Sequence, residues 1–75
     1  MRLSDWFQRE GKGATTRLSK RANLTFAAVA RIRKGKAVPD AKTAFAIEAA
    51  TDGEVTVREI LEEALAAKSE PEVAA

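Results

Sequence analysis

The order of apolar and polar residues divides the chain into five amphipathic stretches, each bounded by residues that favour turns. The central two stretches run from Thr15 to Gly35, and their apolar positions recur at the spacing of a helix. These positions are Leu18, Ala22 and Leu24 in the first stretch, and Val29 and Ile32 in the second. The pattern predicts two short helices, over residues 15–22 and 25–34.

Residues at the ends of these two helices predict a tight turn between them. Asn23 tolerates the left-handed backbone that a sharp turn needs. Thr25 is suited to cap the second helix at its N-terminus, and Gly35 is suited to end it. If the helices meet at roughly a right angle, the second projects from the body with a cationic outer surface, which is the geometry of a major-groove reader.

The stretch before this pair predicts a short first helix. Ser4 is its expected N-cap, Asp5 lies in its first turn, and Gly11 ends it. Trp6 and Phe7 fall on its apolar stripe and are expected in the core.

Two further helices are predicted after the central pair. The first has Pro39 in its first turn and Asp40 close by, and it continues to Ala50 before a turn over residues 51–53. The second opens at the capping box of Thr56 and Glu59. Its apolar positions repeat as in an amphipathic helix and are Val57, Ile60, Leu61, Ala64 and Leu65.

Together these elements predict one small all-α domain of about five helices over residues 1–68, with residues 69–75 as an unstructured tail. Alanines and a few larger residues supply the core, and Ala44, Phe45 and Ile47 close it over the central helices. The larger core residues are expected to be Trp6, Phe7, Leu18, Val29, Ile32, Phe45, Ile47, Ile60 and Leu61.

Composition narrows the possible functions. The chain has no Cys and no His, so a disulfide framework and the commonest zinc sites are excluded. We see no nucleophile with a base and no convergent acid pair, and therefore expect neither an enzyme nor a cofactor. The apolar runs are shorter than the roughly 20 residues that span a bilayer. Since Met1 leads into a charged helix, we expect no signal peptide and a cytoplasmic location.

The net charge of +2 is unevenly distributed along the chain. Residues 1–42 contain eleven Lys or Arg against three acids, whereas residues 43–75 contain two against eight. The first part is therefore +8 and the second −6. A basic region that coincides with the projecting helix indicates a nucleic-acid partner more than a merely solvated surface.

The central residues resemble the helix-turn-helix of Cro-like phage repressors, and the segment that follows resembles the YdaS-like branch of that family. The likeness spans about residues 3–60. It rests on residues 18–25 (LSKRANLT), Ala28, Val29 and residues 32–35 (IRKG), followed by Val38, Pro39 and residues 44–56 (AFAIEAATDGEVT). Asn23 stands where the family usually has glycine, and Ser19 where it usually has alanine. The resemblance implies a lambda-repressor-like fold and a phage or prophage repressor that binds a double-stranded DNA operator in the bacterial cytoplasm.

The second helix of the motif carries the predicted base contacts. At about 100° per residue, its outer face consists of Ala27, Ala30, Arg31 and Lys34. The resemblance places Phe26, Ala27, Ala30 and Arg31 at the family's base-reading positions. Arg31 is suited to the O6 and N7 atoms of guanine, and the apolar side chains to thymine methyl groups. Phe26 lies about 60° from the core direction, so partial burial is slightly favoured.

Phosphate contacts are predicted around this helix and at the start of the helix before it. The candidates are Thr15, Thr16, Arg17, Lys20, Arg21, Thr25, Arg33 and Lys36. Binding as a homodimer to two half-sites is expected. The apolar stripe of the last helix, which is Val57, Ile60, Leu61, Ala64 and Leu65, either packs internally or forms the dimer seam.

A second hypothesis remains open from another functional class. The apolar outer positions Phe26, Ala27 and Ala30 suit a protein groove as well as a base edge. The chain is then a protein-interaction module, such as an antirepressor or an antitoxin, that keeps the helix-turn-helix architecture.

Overall fold

A computed structural model describes residues 1–68, which form five α-helices and no strand. The predicted all-α class is confirmed. The helices are α1 (Leu3–Glu10), α2 (Ala14–Ala22), α3 (Phe26–Arg33), α4 (Ala41–Ala50) and α5 (Val57–Lys68). The tail predicted over residues 69–75 lies outside the described residues. Within residues 1–68, no helix combines the length and apolar character needed to cross a membrane.

The turn between α2 and α3 is built by the residues that the sequence indicated. Asn23 has the left-handed conformation, with φ 59° and ψ 43°. The Thr25 hydroxyl oxygen accepts a hydrogen bond from the Ala28 N–H at 3.0 Å, which caps α3. Gly35 follows the last turn of α3 with φ 76°, a conformation that glycine adopts without steric cost. Both predicted helix ends are confirmed.

The start of α1 differs from the prediction, because Ser4 is not its cap. The helix begins two residues earlier, at Leu3, and the N-cap residue Arg2 makes no side-chain capping bond. The Ser4 N–H instead donates to the Glu63 carboxylate of α5 at 3.3 Å. A side chain from another helix thus satisfies one of the free N–H groups at this helix end.

The start of α4 also differs by two residues from the prediction. Asp40 is the N-cap, and its carboxylate accepts from the Thr43 N–H at 2.8 Å. Pro39 therefore precedes the cap instead of occupying the first turn. The hydrogen bond from the Thr43 backbone N–H is the main reason that the pKa of Asp40 is lowered.

The capping box at the start of α5 forms as predicted. The Glu59 N–H donates to the Thr56 hydroxyl at 3.2 Å, and the Thr56 N–H donates to the Glu59 carboxylate at 3.1 Å. The Glu59 carboxylate also accepts from the terminal ammonium of Met1 at 2.7 Å. These bonds, led by that from the ammonium, lower the pKa of Glu59 to about 2.

The core lies where α2 packs against α3 and α4, with α1 and α5 closing its other side. Trp6 and Phe7 are buried as predicted, and their rings meet edge to face at 5.4 Å. The largest fully buried side chains are those of Leu18, Val29, Ile47, Val55 and Ile60. Ile32 and Leu61 are partly buried against them.

Two phenylalanines correct the sequence predictions. Phe45, predicted in the core, is 62% exposed, because α4 turns Ala44, Ile47 and Ala50 inward instead. Phe26, for which partial burial was favoured, is 57% exposed. It is the first residue of α3, and α3 packs mainly on α2, so this end of the helix has no neighbour to cover the ring.

The inner face of α5 is used within the chain itself. Ile60 and Ala64 are buried, and Val57 and Leu61 pack partly against the core. Of the predicted dimer seam only Leu65 is largely exposed. The structure therefore corrects the seam at Ile60 and Ala64, whose side chains face their own core and cannot also face a second subunit.

Candidate nucleic-acid interface

The outer face of α3 is open to solvent. Arg31, Lys34 and Ala27 are exposed, and Ala30 is partly buried. On the opposite face Val29 is 1% exposed and anchors the helix to the core. The helix therefore presents two cations and a set of small apolar groups on one side, as the angular analysis predicted.

Neither cation on this face is neutralised by the protein. Within residues 1–68, Arg31 and Lys34 make no ion pair and no side-chain hydrogen bond. The same is true of Lys36, which follows Gly35 in the loop after α3. Three positive side chains thus lie within six residues with no anionic partner among the described residues.

Several predicted phosphate contacts lie at the edge of this surface. Thr16 and Lys20 are exposed on α2, and Lys20 has no ion-pair partner in the described part of the chain. Thr25 is exposed at the start of α3. Its hydroxyl oxygen accepts the capping bond, which leaves the hydroxyl hydrogen to donate. The Arg21 guanidinium is exposed and makes one long bond of 3.4 Å, to the Ala50 carbonyl.

Two other predicted phosphate contacts, Thr15 and Arg33, are hydrogen-bonded to each other. The Thr15 side chain is buried, and its hydroxyl accepts from the Arg33 guanidinium at 2.9 Å. The same guanidinium lies 4.7 Å from the centre of the Phe7 ring, within the range of a cation–π interaction. Arg33 thus connects the end of α3 to α1 and α2, yet it is still exposed, so its phosphate contact stays a prediction, whereas Thr15 is buried and its hydroxyl is already engaged.

Arg17 is also engaged within the chain. Its guanidinium donates to the Lys12 and Glu10 carbonyls, each at 3.1 Å, and approaches the Glu10 carboxylate at 3.4 Å. These bonds fasten the start of α2 to the end of α1. Arg17 is therefore another predicted phosphate contact whose donors the protein itself occupies.

The paired carboxylates lie on α1, on α5 and in the segment just before α5. Arg9 donates to both oxygens of Glu54 and also contacts Glu10. Hydrogen bonding to Arg9 lowers the pKa of both glutamates, and the pKa of Arg9 is raised in turn, first by Glu54. Both glutamates consequently stay ionised at neutral pH, and the negative charge is held near α1 and the start of α5.

One cation outside the set of predicted phosphate contacts lies next to the N-terminus of α2. Lys12, in the connector before that helix, is exposed and unpaired within residues 1–68. No side chain caps the N-terminus of α2, whose N-cap residue is Gly13. Its position beside a helix N-terminus follows from the start of α2 at Ala14, one residue before the predicted start at Thr15.

Among the described residues, no three Asp or Glu side chains group as metal ligands. Comparison of the chain with protein-family models, with curated proteins and with solved structures gives no match. The geometry of α3 and its flanks is therefore the basis for the functional argument.

Proposed function

We propose that this protein binds double-stranded DNA by inserting α3 into the major groove, and that it regulates transcription in the manner of a Cro-type repressor. The observation that carries the proposal is the outer face of α3, where Arg31 and Lys34 are exposed and unpaired within residues 1–68. Unpaired cations on such a face are able to neutralise the phosphates of a polyanion such as DNA.

The proposed contacts follow from the side chains on that face. Arg31 donates to the O6 and N7 atoms of a guanine, and Phe26, Ala27 and Ala30 contact thymine methyl groups. Lys34, at the end of the helix, contacts an adjacent base or phosphate.

Phosphate contacts position the helix in the groove. The unpaired or weakly held cations on its flanks are Lys20, Arg21 and Lys36, and Thr16 and Thr25 contribute neutral donors. Counting Lys34 with the flanking cations, about four phosphates are neutralised per monomer. The logarithm of affinity then falls with the logarithm of salt concentration with a slope near −4.

Selection from random duplex DNA by the purified protein tests the proposal. We expect recovery of a preferred sequence that contains a guanine, with Arg31→Ala losing about five- to 100-fold in discrimination at that base. Arg58→Ala is the matched control, because Arg58 is an exposed arginine on α5 that pairs with Glu62 and is not among the proposed DNA contacts. No binding at low salt would overturn the proposal. Salt-sensitive binding without sequence preference would overturn only the base-reading step.

The exposure of Phe26 favours a second function, that of a protein-interaction module such as an antirepressor or antitoxin. A phenylalanine that is 57% exposed beside Ala27 offers an apolar anchor for a protein groove. In that case Arg31→Glu leaves the partner bound, whereas Phe26→Ala releases it. Under the DNA-binding proposal the charge reversal has the larger effect.

A further inference from the structure

One exposed face of α4 has no part in the core or in the proposed contact with DNA. At about 100° per residue, Lys42, Phe45 and Ala49 lie within about 60° of one another around the helix axis. All three are exposed, and the Phe45 ring is 62% exposed. The buried side chains of α4 lie on the other side of the helix.

A depression opens on the same face, one helical turn after Phe45. It has a volume of about 350 Å³ and is lined by Ala49, Ala50 and Asp52 and, from α2, by Arg21, which is also one of the proposed phosphate contacts. A projecting aromatic ring and a recess therefore lie side by side on one surface.

We propose that this face of α4 packs antiparallel against the same face of a second copy of the chain. In a two-fold symmetric pair of antiparallel helices, the residues that meet are those whose numbers share one midpoint. Phe45 and Ala49, both on α4, have the midpoint 47. Lys42 and Asp52 have the same midpoint, and Asp52 lies in the turn two residues after the end of α4. One register thus places each Phe45 ring on the other copy's Ala49, beside the depression, and each Lys42 beside the other copy's Asp52.

Charge complementarity is the argument for a second copy as the occupant. Lys42 and Asp52 are exposed, and neither makes an ion pair or a side-chain hydrogen bond within residues 1–68; Lys42 interacts with the Asp40 carboxylate only through longer-range electrostatics. A two-fold interface needs a surface that complements itself, and this face supplies the ring with its recess and the cation with its anion. One helix face is smaller than a standard interface of roughly 1,600 Å², so the dimer is weak.

Sedimentation equilibrium without DNA tests the pairing over about 10 μM to 1 mM protein, a range that captures weak association. It therefore succeeds or fails independently of the proposed DNA binding. We expect monomer at the low end and increasing dimer toward the high end. Phe45→Ala removes an exposed ring without disturbing the core and should weaken the dimer about tenfold or more. Phe26→Ala is the matched control, an equally exposed phenylalanine on α3, and should leave the dimer unchanged.

Charge exchange tests the register itself. Lys42→Asp and Asp52→Lys should each weaken the dimer, because each puts like charges together at both ends of the pair. Mixing the two variants should restore it, because opposite charges then meet at both ends. Asp52 has φ 57°, which lysine adopts less readily, so folding is checked by circular dichroism. If that variant unfolds, Asp52→Asn removes the charge while tolerating the conformation, and should weaken the dimer by itself.

Three results would overturn the proposal. These are a monomer throughout the concentration range, a dimer that is indifferent to Phe45→Ala, and a dimer whose like-charge variants do not recover on mixing. A dimer lost on Leu65→Ala but kept on Phe45→Ala would place the contact on α5 instead.

Discussion

The charged groups on the two sides of the molecule are arranged in opposite ways. Every ion pair among the described residues has a partner on α1 or α5, or at the N-terminus that lies against them, as in the contacts of Arg9 with Glu54 and Arg58 with Glu62. On α3 and the loop after it, Arg31, Lys34 and Lys36 have no such partner. The α1–α5 side therefore neutralises its own charge, whereas the α3 side keeps it.

The paired and the unpaired charges contribute to different properties, the first to stability and the second to binding. Exposed ion pairs stabilise a fold only modestly, and here they engage acidic groups on and near α1 and α5. Unpaired cations close together repel one another, and the helix dipole at the C-terminal end of α3 offsets this by only about 0.3–1 kcal/mol for each cation. An unpaired cluster on one helix face is the arrangement expected where the compensating charge comes from a partner, which is why α3 and not net charge carries the proposed function.

The largest expected effect is on DNA affinity, and it comes from comparing two double charge reversals, one next to α3 and one on the N-terminus and α5. Lys34→Glu with Lys36→Glu changes the net charge by −4, and so does Arg2→Glu with Arg58→Glu. If α3 contacts DNA, the first pair should weaken binding by about 100-fold or more near 0.1 M salt and lower the salt slope by about two. The second pair should stay within a few-fold of the unchanged protein. Equal losses in a fluorescence-anisotropy titration would show that only net charge matters.

A smaller effect is expected from Arg33, the arginine of α3 whose guanidinium contacts both Thr15 and Phe7. Arg33→Ala removes its bond to Thr15 and its contact with Phe7, and should lower the free energy of unfolding by about 1–2 kcal/mol. Urea denaturation measures this. Arg31→Ala, two residues earlier and without such contacts, should change it by less than about 0.5 kcal/mol.

The salt dependence of DNA binding distinguishes the two roles of Arg33. If Arg33 only positions α3, its substitution leaves the slope of log affinity against log salt concentration unchanged for the folded protein. If Arg33 contacts a phosphate, its substitution lowers the magnitude of that slope by about one. Arg33→Lys keeps the charge but not the planar fork of donors, so it should recover only part of the stability. Full recovery of stability in Arg33→Lys, or a lowered salt slope in Arg33→Ala, would support the predicted phosphate contact of Arg33.

Features set by a few neighbouring residues could be predicted from the sequence. The turn at Asn23, the cap at Thr25, the stop at Gly35 and the box of Thr56 with Glu59 each depend on chemistry within about four residues. The outer face of α3 was predictable for the same reason, since helical geometry alone places Arg31 opposite Val29.

Features that depend on distant parts of the chain could not be predicted. Thr15 and Arg33 are 18 positions apart, and nothing local indicates that one holds the other. The orientation of α4 was ambiguous because alanines occur all round it, and alanine does not distinguish a packed face from an exposed one. Phe45 was therefore assigned to the core by its size alone, and the packing of α4 on α2 and α5 decides against it.

The smallest expected effect is the response of stability to acid, which depends on the carboxylates around α1 and α5 and on Asp40, the cap of α4, whose pKa is also lowered. The pKa values of Glu10, Glu54 and Glu59 are lower in the folded protein than their ordinary value of 4.5, that of Glu59 at about 2. The unfolded chain therefore binds more protons as the pH falls. The contribution of these groups is complete above pH 4.5 and is lost as the pH drops toward 2.

Thermal melts at pH 7, 4.5, 3 and 2 should accordingly show a midpoint that is nearly constant down to about pH 4.5 and then declines. Because these carboxylates are exposed, the decline should be modest and should shrink in 1 M salt. Glu59→Gln should flatten the lowest part of the curve, since its carboxylate titrates last. A melting temperature that rises on acidification would mean that repulsion among the acidic residues after position 42 outweighs their ion pairs. The regions around α3 and around α1 and α5 would then differ only in the sign of their excess charge.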